Sequence, residues 1–229
     1  MEERQMLKPQ VIVFDVYQTM LDMTEMVRKI NMITDSKRGY IIWFELFSQY
    51  CFADNSLNSF HDFISIAKAT LQMTAHKLGK SVSDRDADEV LTLLKRLPIH
   101  EEVQEGLSQL SDKGYRIAAL TNVPENIVCE RMERTGLISY FEKVLSSEKA
   151  KKYKPEKEVY EWASQNLNTD LKDMLMVTAH GWDIEGAANA GMKTVFLKRD
   201  RQLLFPLSPA PDLICESFIE VASLLDPTI

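Results

Sequence analysis

Four polar groups in this sequence each follow a short apolar run, and their residue types could together perform nucleophilic chemistry. Asp15 follows VIVF, Thr121-Asn122 follows RIAAL, Lys154-Pro155 follows a run at 143–145, and His180–Asp183 follows MLMVT. Asp and Glu carboxylates form covalent intermediates in some enzymes, so Asp15 is a candidate nucleophile. The alternative is structural, because an Asp after a strand commonly caps the next helix.

A parallel sheet would bring these groups together. The run at 11–14 is short and rich in Val, Ile and Phe, which is typical of a strand buried on both faces. Beyond residue 98, strands are predicted at 116–120, 143–145, 174–178, 194–197 and 213–215, and helices at 101–113, 126–134, 156–166, 184–190 and 218–225. This alternation predicts an α/β fold with a doubly wound, Rossmann-like parallel sheet. Ligands bind such sheets at the carboxyl ends of the strands, where the four groups lie.

Residues 21–97 have a different pattern and are predicted to form an inserted, all-helical cap domain. Their apolar residues recur at intervals of three and four, as in amphipathic helices. Loops are expected at Asn55-Ser56 and Gly79-Lys80, and a helix start at Ser83-Asp84. Residues 1–20 and 98–229 would form the core domain. The cap would cover Asp15 and exclude water, so the site is expected between the two domains.

Composition limits the class of protein. The 229 residues, 45% of them hydrophobic, suit one domain with an insertion or a large domain with a small one. The net charge of −7 argues against a nucleic-acid partner. Three scattered cysteines fit a reducing compartment. The first ten residues lack a signal-peptide pattern, and no apolar run approaches the roughly 18 residues of a membrane span. We therefore expect a cytoplasmic protein with no membrane partner.

The polar groups resemble the motifs of the haloacid dehalogenase-like superfamily, in order and over nearly the whole chain. That superfamily has a nucleophilic Asp at the end of its first strand (FDVYQT here), a Ser/Thr after the second (TN), a Lys (KP) and a final acidic motif. The L-2-haloacid dehalogenase (type II) branch is the most similar. Tyr17 stands where phosphatase members have a second Asp, Tyr160 follows KP as in that branch, and Trp182-Asp183 with Gly186-Ala187 matches its WD…GA element.

The resemblance implies hydrolysis of a small L-2-haloacid to a D-2-hydroxy acid. Asp15 would attack C2 and displace halide, and water activated by Asp183 would then cleave the aspartyl ester. Lys154 would pair with Asp15 or Asp183 and keep the nucleophile ionised, and Thr19 would orient Asp15. The other candidates would bind the substrate, shape the pocket or tether Lys154: Tyr17, Thr121, Asn122 and Tyr160.

No cofactor and no metal are expected from the resemblance. Phosphatase members hold Mg²⁺ with an acid of the last motif and use the second Asp as general acid and base. The corresponding positions here carry Ala179 and Tyr17, and a tyrosine, with an ordinary pKa of about 10, is no substitute for a carboxylate near neutral pH. The expected partner is a small anionic substrate, and relatives of this branch commonly form homodimers.

The sequence departs from the branch at three positions. An Arg early in the cap helps to expel halide, and Arg38 is the nearest candidate, although the alignment points as readily to Asp35. His180 replaces an Asn that positions the attacking water, and it could do the same, act as a base, or be structural. Gln18 replaces a Gly. Three alternatives therefore stay open: a phosphatase, a hydrolase with another leaving group, and a non-catalytic binding relative.

Overall fold

Six parallel strands form one sheet in the computed structural model, which describes residues 7–225. They are β1 (Val11–Phe14), β2 (Arg116–Thr121), β3 (Lys143–Ser146), β4 (Met174–Thr178), β5 (Lys193–Leu197) and β6 (Leu213–Cys215). Their order in the sheet is β3-β2-β1-β4-β5-β6. The predicted parallel sheet is confirmed. Because the strand order reverses beside β1, its carboxyl end lies at the crevice where ligands of such sheets bind.

Helices cover both faces of the sheet, and four consecutive helices make up most of residues 21–97. The consecutive helices after β1 are α1 (Thr24–Ile33), α2 (Gly39–Leu57), α3 (Phe63–Lys77) and α4 (Asp84–Thr92). The helices that alternate with strands are α5 (Val103–Asp112), α6 (Glu125–Thr135), α7 (Lys157–Leu167), α8 (Gly181–Ala190) and α9 (Phe218–Leu224). Short 3-10 turns lie at 93–95, 137–140, 147–150 and 171–173.

Both faces of β1 are buried, as its unbroken apolar sequence predicts. Val11 and Val13 belong to the apolar cluster formed with α7 and α8, whereas Ile12 and Phe14 belong to the cluster formed with α5 and α9. The Phe14 ring stacks on Phe218 with centroids 4.8 Å apart. Burial of a side chain of this size contributes about 1.5–3 kcal/mol, so the strand that carries the candidate nucleophile is held firmly.

The segment between β1 and α5 is helical between its loops, as predicted. Ser83 Oγ accepts from Asp86 N at 3.1 Å and the Asp86 carboxylate reaches back, so a capping box starts α4 where the sequence predicts a helix start. The predicted loop at Asn55-Ser56 is wrong, because α2 continues through Leu57. It ends at Asn58, whose φ of 51° is a left-handed conformation that asparagine tolerates.

The two chain segments that join these helices to the sheet pair with each other. Leu21 and Ile99 form an antiparallel bridge. Asp22 N donates to Pro98 O at 2.8 Å, and His100 N donates to Met20 O at 3.0 Å. The domain division at 20/21 and 97/98 stays a prediction. The outer domain bounds and part of the signal-peptide expectation fall on residues 1–6 and 226–229, which lie outside the described residues.

Helices α5, α6 and α7 begin within two residues of their predicted starts, and α8 differs most. Helix α8 begins at Gly181, three residues before the predicted start, so Asp183 lies in its first turn, where the helix dipole favours a carboxylate. Helix α7 begins at Lys157, and the Lys154-Pro155 peptide before it is cis.

Within residues 7–225, no helix has the length and apolar character needed to cross a bilayer.

Candidate active site

Asp15, Lys154 and Asp183 form one hydrogen-bonded array beside the ends of β1 and β4. Lys154 Nζ donates to Asp15 Oδ1 at 2.9 Å, to Asp183 Oδ2 at 2.7 Å and to Leu120 O at 3.0 Å. These bonds use all three hydrogens of the ammonium group. Asp15 is 4% exposed, and Lys154 and Asp183 are fully buried. The lysine therefore pairs with both carboxylates, where the sequence predicts a pair with one of them.

The charges in this array keep the candidate nucleophile ionised. Burial acts to raise the pKa of Asp15, but Lys154, and after it His180, outweigh burial and hold that pKa well below its usual range. Burial acts to lower the pKa of Lys154, but Asp15 and Asp183 outweigh it and raise that pKa above its usual value. Asp15 is therefore a carboxylate, and Lys154 an ammonium, at neutral pH.

Thr19 fixes the second oxygen of Asp15. Its Oγ1 donates to Asp15 Oδ2 at 2.8 Å and accepts from Ala179 N at 3.0 Å. A hydroxyl group has one hydrogen. Because the Thr19 hydroxyl accepts in its bond with Ala179 N, it can donate that hydrogen to the Asp15 carboxylate. Thr19 is fully buried. The plane of the Asp15 carboxylate is thus set from both ends, by Lys154 at one oxygen and by Thr19 at the other.

Tyr160 holds Asp183 from the side opposite Lys154. Its hydroxyl donates to Asp183 Oδ1 at 2.6 Å. Burial, and then Asp183, raises the pKa of Tyr160 far above its usual value, so the hydroxyl remains a donor. Gly186 on α8 makes room for this contact, because a Cβ there would come within 2.7 Å of the Tyr160 hydroxyl and 2.5 Å of Pro155 Cβ. Tyr160 therefore acts on Lys154 through Asp183 and does not line the cavity.

Two asparagines hold the backbone of the Lys154 loop from opposite sides. Asn122, at the end of β2, accepts from Lys154 N at 2.9 Å and from Ser147 Oγ at 2.8 Å through its Oδ1. Asn55, on α2, accepts from Tyr153 N at 3.0 Å through its Oδ1 and donates from Nδ2 to Tyr153 O at 2.8 Å. The loop is thus fixed by one residue from the sheet and one from the helical segment.

His180 lies against the other side of Asp15. Its Nδ1 is 3.3 Å from Asp15 Oδ2, but the two atoms do not form a hydrogen bond, and Nδ1 is buried without another partner. Its Nε2 is 2.9 Å from Gln18 Oε1. The imidazole lies between aromatic rings, with centroids 4.9 Å from Trp182 and 6.1 Å from Phe44.

A cavity of about 70 Å³ lies over Asp15, between the strand ends and α2. Its walls are mainly apolar. Five aromatic residues of α2 line it: Tyr40, Trp43, Phe44, Phe47 and Phe52. Thr121, Asn122 and Tyr17 lie at the side of the sheet, and the Tyr17 hydroxyl is already bound to Leu94 O at 2.9 Å. The space is enough for about five water molecules at roughly 15 Å³ each.

A wider groove adjoins this cavity. It has a volume of about 850 Å³, shares Gln18, Tyr40, Phe44 and Trp182 with the cavity, and runs along residues 199–206. The cavity therefore borders a route to the surface on the side where α1 and α2 face that loop.

Arg38 does not join the predicted site. It is exposed just before α2 begins and is absent from the cavity walls. No arginine lines the cavity within residues 7–225, and Asp35, the other position indicated by the sequence, is exposed and bound to Lys80. The exposed position of Arg38 places its guanidinium in water and not beside Asp15.

Three further residues belong to the site although the sequence did not single them out as ligands or supports. The Tyr40 hydroxyl lines the cavity and is buried without a partner, Gln18 holds His180, and Asn55 holds the Lys154 loop. The departure from glycine at Gln18 was a usable signal. Tyr40 and Asn55 gave none, because a helical aromatic stripe and a polar residue near a helix end are ordinary features of a cap.

The carboxylate oxygens around Asp15 are already engaged in hydrogen bonds. In the described part of the chain, no group of three or more His, Cys, Asp and Glu side chains is arranged to hold one. Mg²⁺ requires oxygen ligands, and the oxygens of Asp183 and one oxygen of Asp15 are occupied by Lys154 and Tyr160. The expectation of a metal-free site stays a prediction.

Comparison with known proteins agrees with this geometry. Residues 12–197 match the model of a family described as haloacid dehalogenase-like hydrolase. The chain is similar to an (S)-2-haloacid dehalogenase of Pseudomonas sp. (strain YL), at 26% identity over 217 residues and 94% of each chain. It is also similar to the (S)-2-haloacid dehalogenase 4A of Burkholderia cepacia, at 24% identity over 189 residues and 82% of each chain.

A solved structure has the same fold. The L-2-haloacid dehalogenase of Xanthobacter autotrophicus, with chloropropionic acid covalently bound, superimposes with a TM-score of 0.85 at 19% identity and covers 94% of this chain and 98% of its own.

Proposed function

Because this chain belongs to the haloacid dehalogenase-like hydrolase family, we propose that it hydrolyses a small L-2-haloacid to a D-2-hydroxy acid through an ester on Asp15. One observation carries the proposal: Asp15 is an ionised carboxylate, held at both oxygens, that faces a small apolar cavity. The names of the similar proteins, (S)-2-haloacid dehalogenases, support this substrate class.

In the first step, a carboxylate oxygen of Asp15 attacks C2 of the haloacid from the side opposite the halogen. The C–O bond forms, the carbon–halogen bond breaks with its electron pair, and the configuration at C2 inverts. Lys154 and Thr19 hold the nucleophile in one orientation, which removes much of the entropic cost of the displacement. The apolar cavity excludes bulk water, so little solvent competes for the charge of Asp15.

In the second step, water attacks Cγ of the Asp15 ester and releases the hydroxy acid. The expectation that Asp183 activates this water has little support from its surroundings. Asp183 is fully buried, it does not line the cavity, and its two oxygens accept from Lys154 and Tyr160. We therefore assign to Asp183 and Tyr160 the positioning of Lys154.

The volume and walls of the cavity favour a short substrate. A cavity with room for about five water molecules suits an acid of about six non-hydrogen atoms, such as 2-chloropropionate. We propose that Thr121 and Asn122 hold one end of it from the sheet and that the Tyr40 hydroxyl donates to it from the cap. Burial raises the pKa of Tyr40, so this hydroxyl is a donor and suits an anion. Tyr17 forms part of the wall.

Tyr40→Phe is expected to weaken substrate binding and to stabilise the free protein. A buried hydroxyl without a partner costs about 1–3 kcal/mol, and a hydrogen bond to a charged group contributes about 1.5–3 kcal/mol. KM should therefore rise about 10- to 100-fold while Tm increases. Steady-state halide release and thermal unfolding measure the two effects, with Tyr50→Phe on the exposed face of α2 as the control. A lower Tm with an unchanged KM would remove Tyr40 from the substrate site.

Halide release from both enantiomers of several 2-haloacids, with and without EDTA, tests the proposed function. We expect chloride and bromide release from L enantiomers, D-2-hydroxy acid as the product on a chiral column, and rates that EDTA leaves unchanged. Mg²⁺-dependent hydrolysis of an aryl phosphate would instead identify a phosphatase. Tight binding of 2-haloacids without turnover would identify a binding relative.

A cytoplasmic location and a homodimer also remain proposals. The absence of a membrane-spanning helix within residues 7–225 is compatible with the first, and the sequence resemblance alone supports the second. Light scattering of the purified protein distinguishes a monomer from a dimer.

A further inference from the structure

The atom best placed to act on water beside Asp15 is Nδ1 of His180. It is buried, makes no hydrogen bond, and lies 3.3 Å from Asp15 Oδ2 on the wall of the cavity. A buried polar atom without a partner costs free energy, so such an atom in a cavity indicates a ligand or a reactant. Asp183 has no such opening, since both its oxygens are occupied.

Gln18 sets the direction of the imidazole. The Gln18 amide oxygen is 2.9 Å from His180 Nε2, so Nε2 carries the hydrogen and the lone pair of the neutral ring is on Nδ1. Gln18 reaches this position with a φ of 70°, a left-handed conformation that is strained for a non-glycine residue. The side chain compensates by fixing the ring, and two of the three positions at which the sequence departs from the branch pattern thus contact each other.

We propose that His180, positioned by Gln18, is the general base that activates water for hydrolysis of the Asp15 ester. This role rests on the proposed function and adds the residue that performs its second step. Nδ1 takes one proton from water as the water oxygen bonds to Cγ. The tetrahedral intermediate then expels the alkoxide of the hydroxy acid, which receives that proton from His180. Asp15 is left as a carboxylic acid and loses its remaining proton to solvent.

The first step prepares His180 for the second. In the free enzyme, Nδ1 of His180 faces the negative charge of Asp15. Ester formation removes that charge, so Nδ1 then faces a neutral ester that water can attack. The charged groups at this point are Asp15 and, beyond it, Lys154, which also lies 5.9 Å from the Trp182 ring centroid. The rings of Phe44 and Trp182, packed on the imidazole, carry no charge.

Rapid-quench kinetics with L-2-chloropropionate separate the two steps. In His180→Ala, we expect a burst of one chloride per site to remain, steady-state turnover to fall about 10²- to 10⁴-fold, and the 1-carboxyethyl ester to accumulate on Asp15, as read by intact-protein mass. Gln18→Gly should relieve backbone strain and raise Tm, yet slow ester hydrolysis on the order of 10-fold.

His76→Ala, which removes an exposed imidazole from α3, is the matched control and should behave as the wild type. The inference is overturned if His180→Ala loses the burst together with turnover, or if no ester accumulates. It is also overturned if Gln18→Gly leaves hydrolysis unchanged. Absence of any halide release from 2-haloacids by the wild type would instead overturn the proposed function, and the inference with it.

Discussion

Asp15→Asn is expected to reduce halide release from L-2-chloropropionate on the order of 10⁴-fold or more, because the neutral amide oxygen is a poor nucleophile. The isosteric side chain keeps the volume of the site and leaves an oxygen for Lys154. The loss should therefore appear in activity at substrate saturation and not in KM alone. Asp54→Asn is the matched control, since Asp54 is also buried but bonds to Ser59 and His61 within the cap.

Isotope labelling tests the same residue in the unmodified protein. In a single turnover in ¹⁸O-water with enzyme in excess, the heavy oxygen should enter the Asp15 carboxylate, because water attacks Cγ and the product takes its oxygen from Asp15. Mass spectrometry of the peptide that contains Asp15 measures the label. Labelled product and an unlabelled peptide after that first turnover would refute the ester mechanism.

Lys154→Met is expected to destabilise the protein strongly and to reverse the pH dependence of its stability. It leaves Asp15 and Asp183 buried without their shared cation, and removal of one partner from a buried ion pair costs about 3–5 kcal/mol. For a chain of this length, Tm should fall by roughly 6–20 °C. Lys29→Met, which breaks an exposed pair with Glu89, should change stability by less than about 0.5 kcal/mol.

The sign of the pH effect follows from the direction of each shift. In the wild type, the lowered pKa of Asp15 adds stability above the unfolded pKa of about 3.9, and this stability is lost as the pH falls below that value. The raised pKa of Lys154 adds stability below about 10.5, which is lost as the pH rises through the higher folded value. Without Lys154, burial acts on Asp15 with less opposition, and the folded site takes up a proton. The free energy of unfolding of Lys154→Met, measured by urea unfolding, should then fall as the pH rises from 4 to 8. The same slope of stability against pH as in the wild type would contradict this account.

The sequence was sufficient for the sheet and for the array of Asp15, Lys154 and Asp183. The carboxyl ends of parallel strands meet at one edge of a sheet, so residues that follow consecutive strands come together wherever the connecting helices lie. Thr19 was also predictable, because it is only four residues from Asp15 and bonds within the same turn.

The contacts that depend on side-chain direction were not predictable. Arg38 directly precedes α2 and Tyr40 is its second residue. At about 100° per residue, their side chains point to widely different sides. Only the docking of that helix decides which one faces the cavity. The bond between Gln18 and His180 joins residues 162 positions apart and requires a positive φ at Gln18. The sequence marked both as unusual but could not show that they meet.

The bond pair from Asn55 to Tyr153 has a consequence for how solutes enter and leave. The contacts that hold the helical segment to the sheet include the paired segments at Leu21 and Ile99 and the bonds of Asn55 beside the Lys154 loop. Outward movement of the helical segment would break the hydrogen bonds from Asn55 to the loop that carries Lys154. We therefore expect haloacid, halide and hydroxy acid to move between the cavity and solvent through the groove along residues 199–206. The cap would keep one position during turnover.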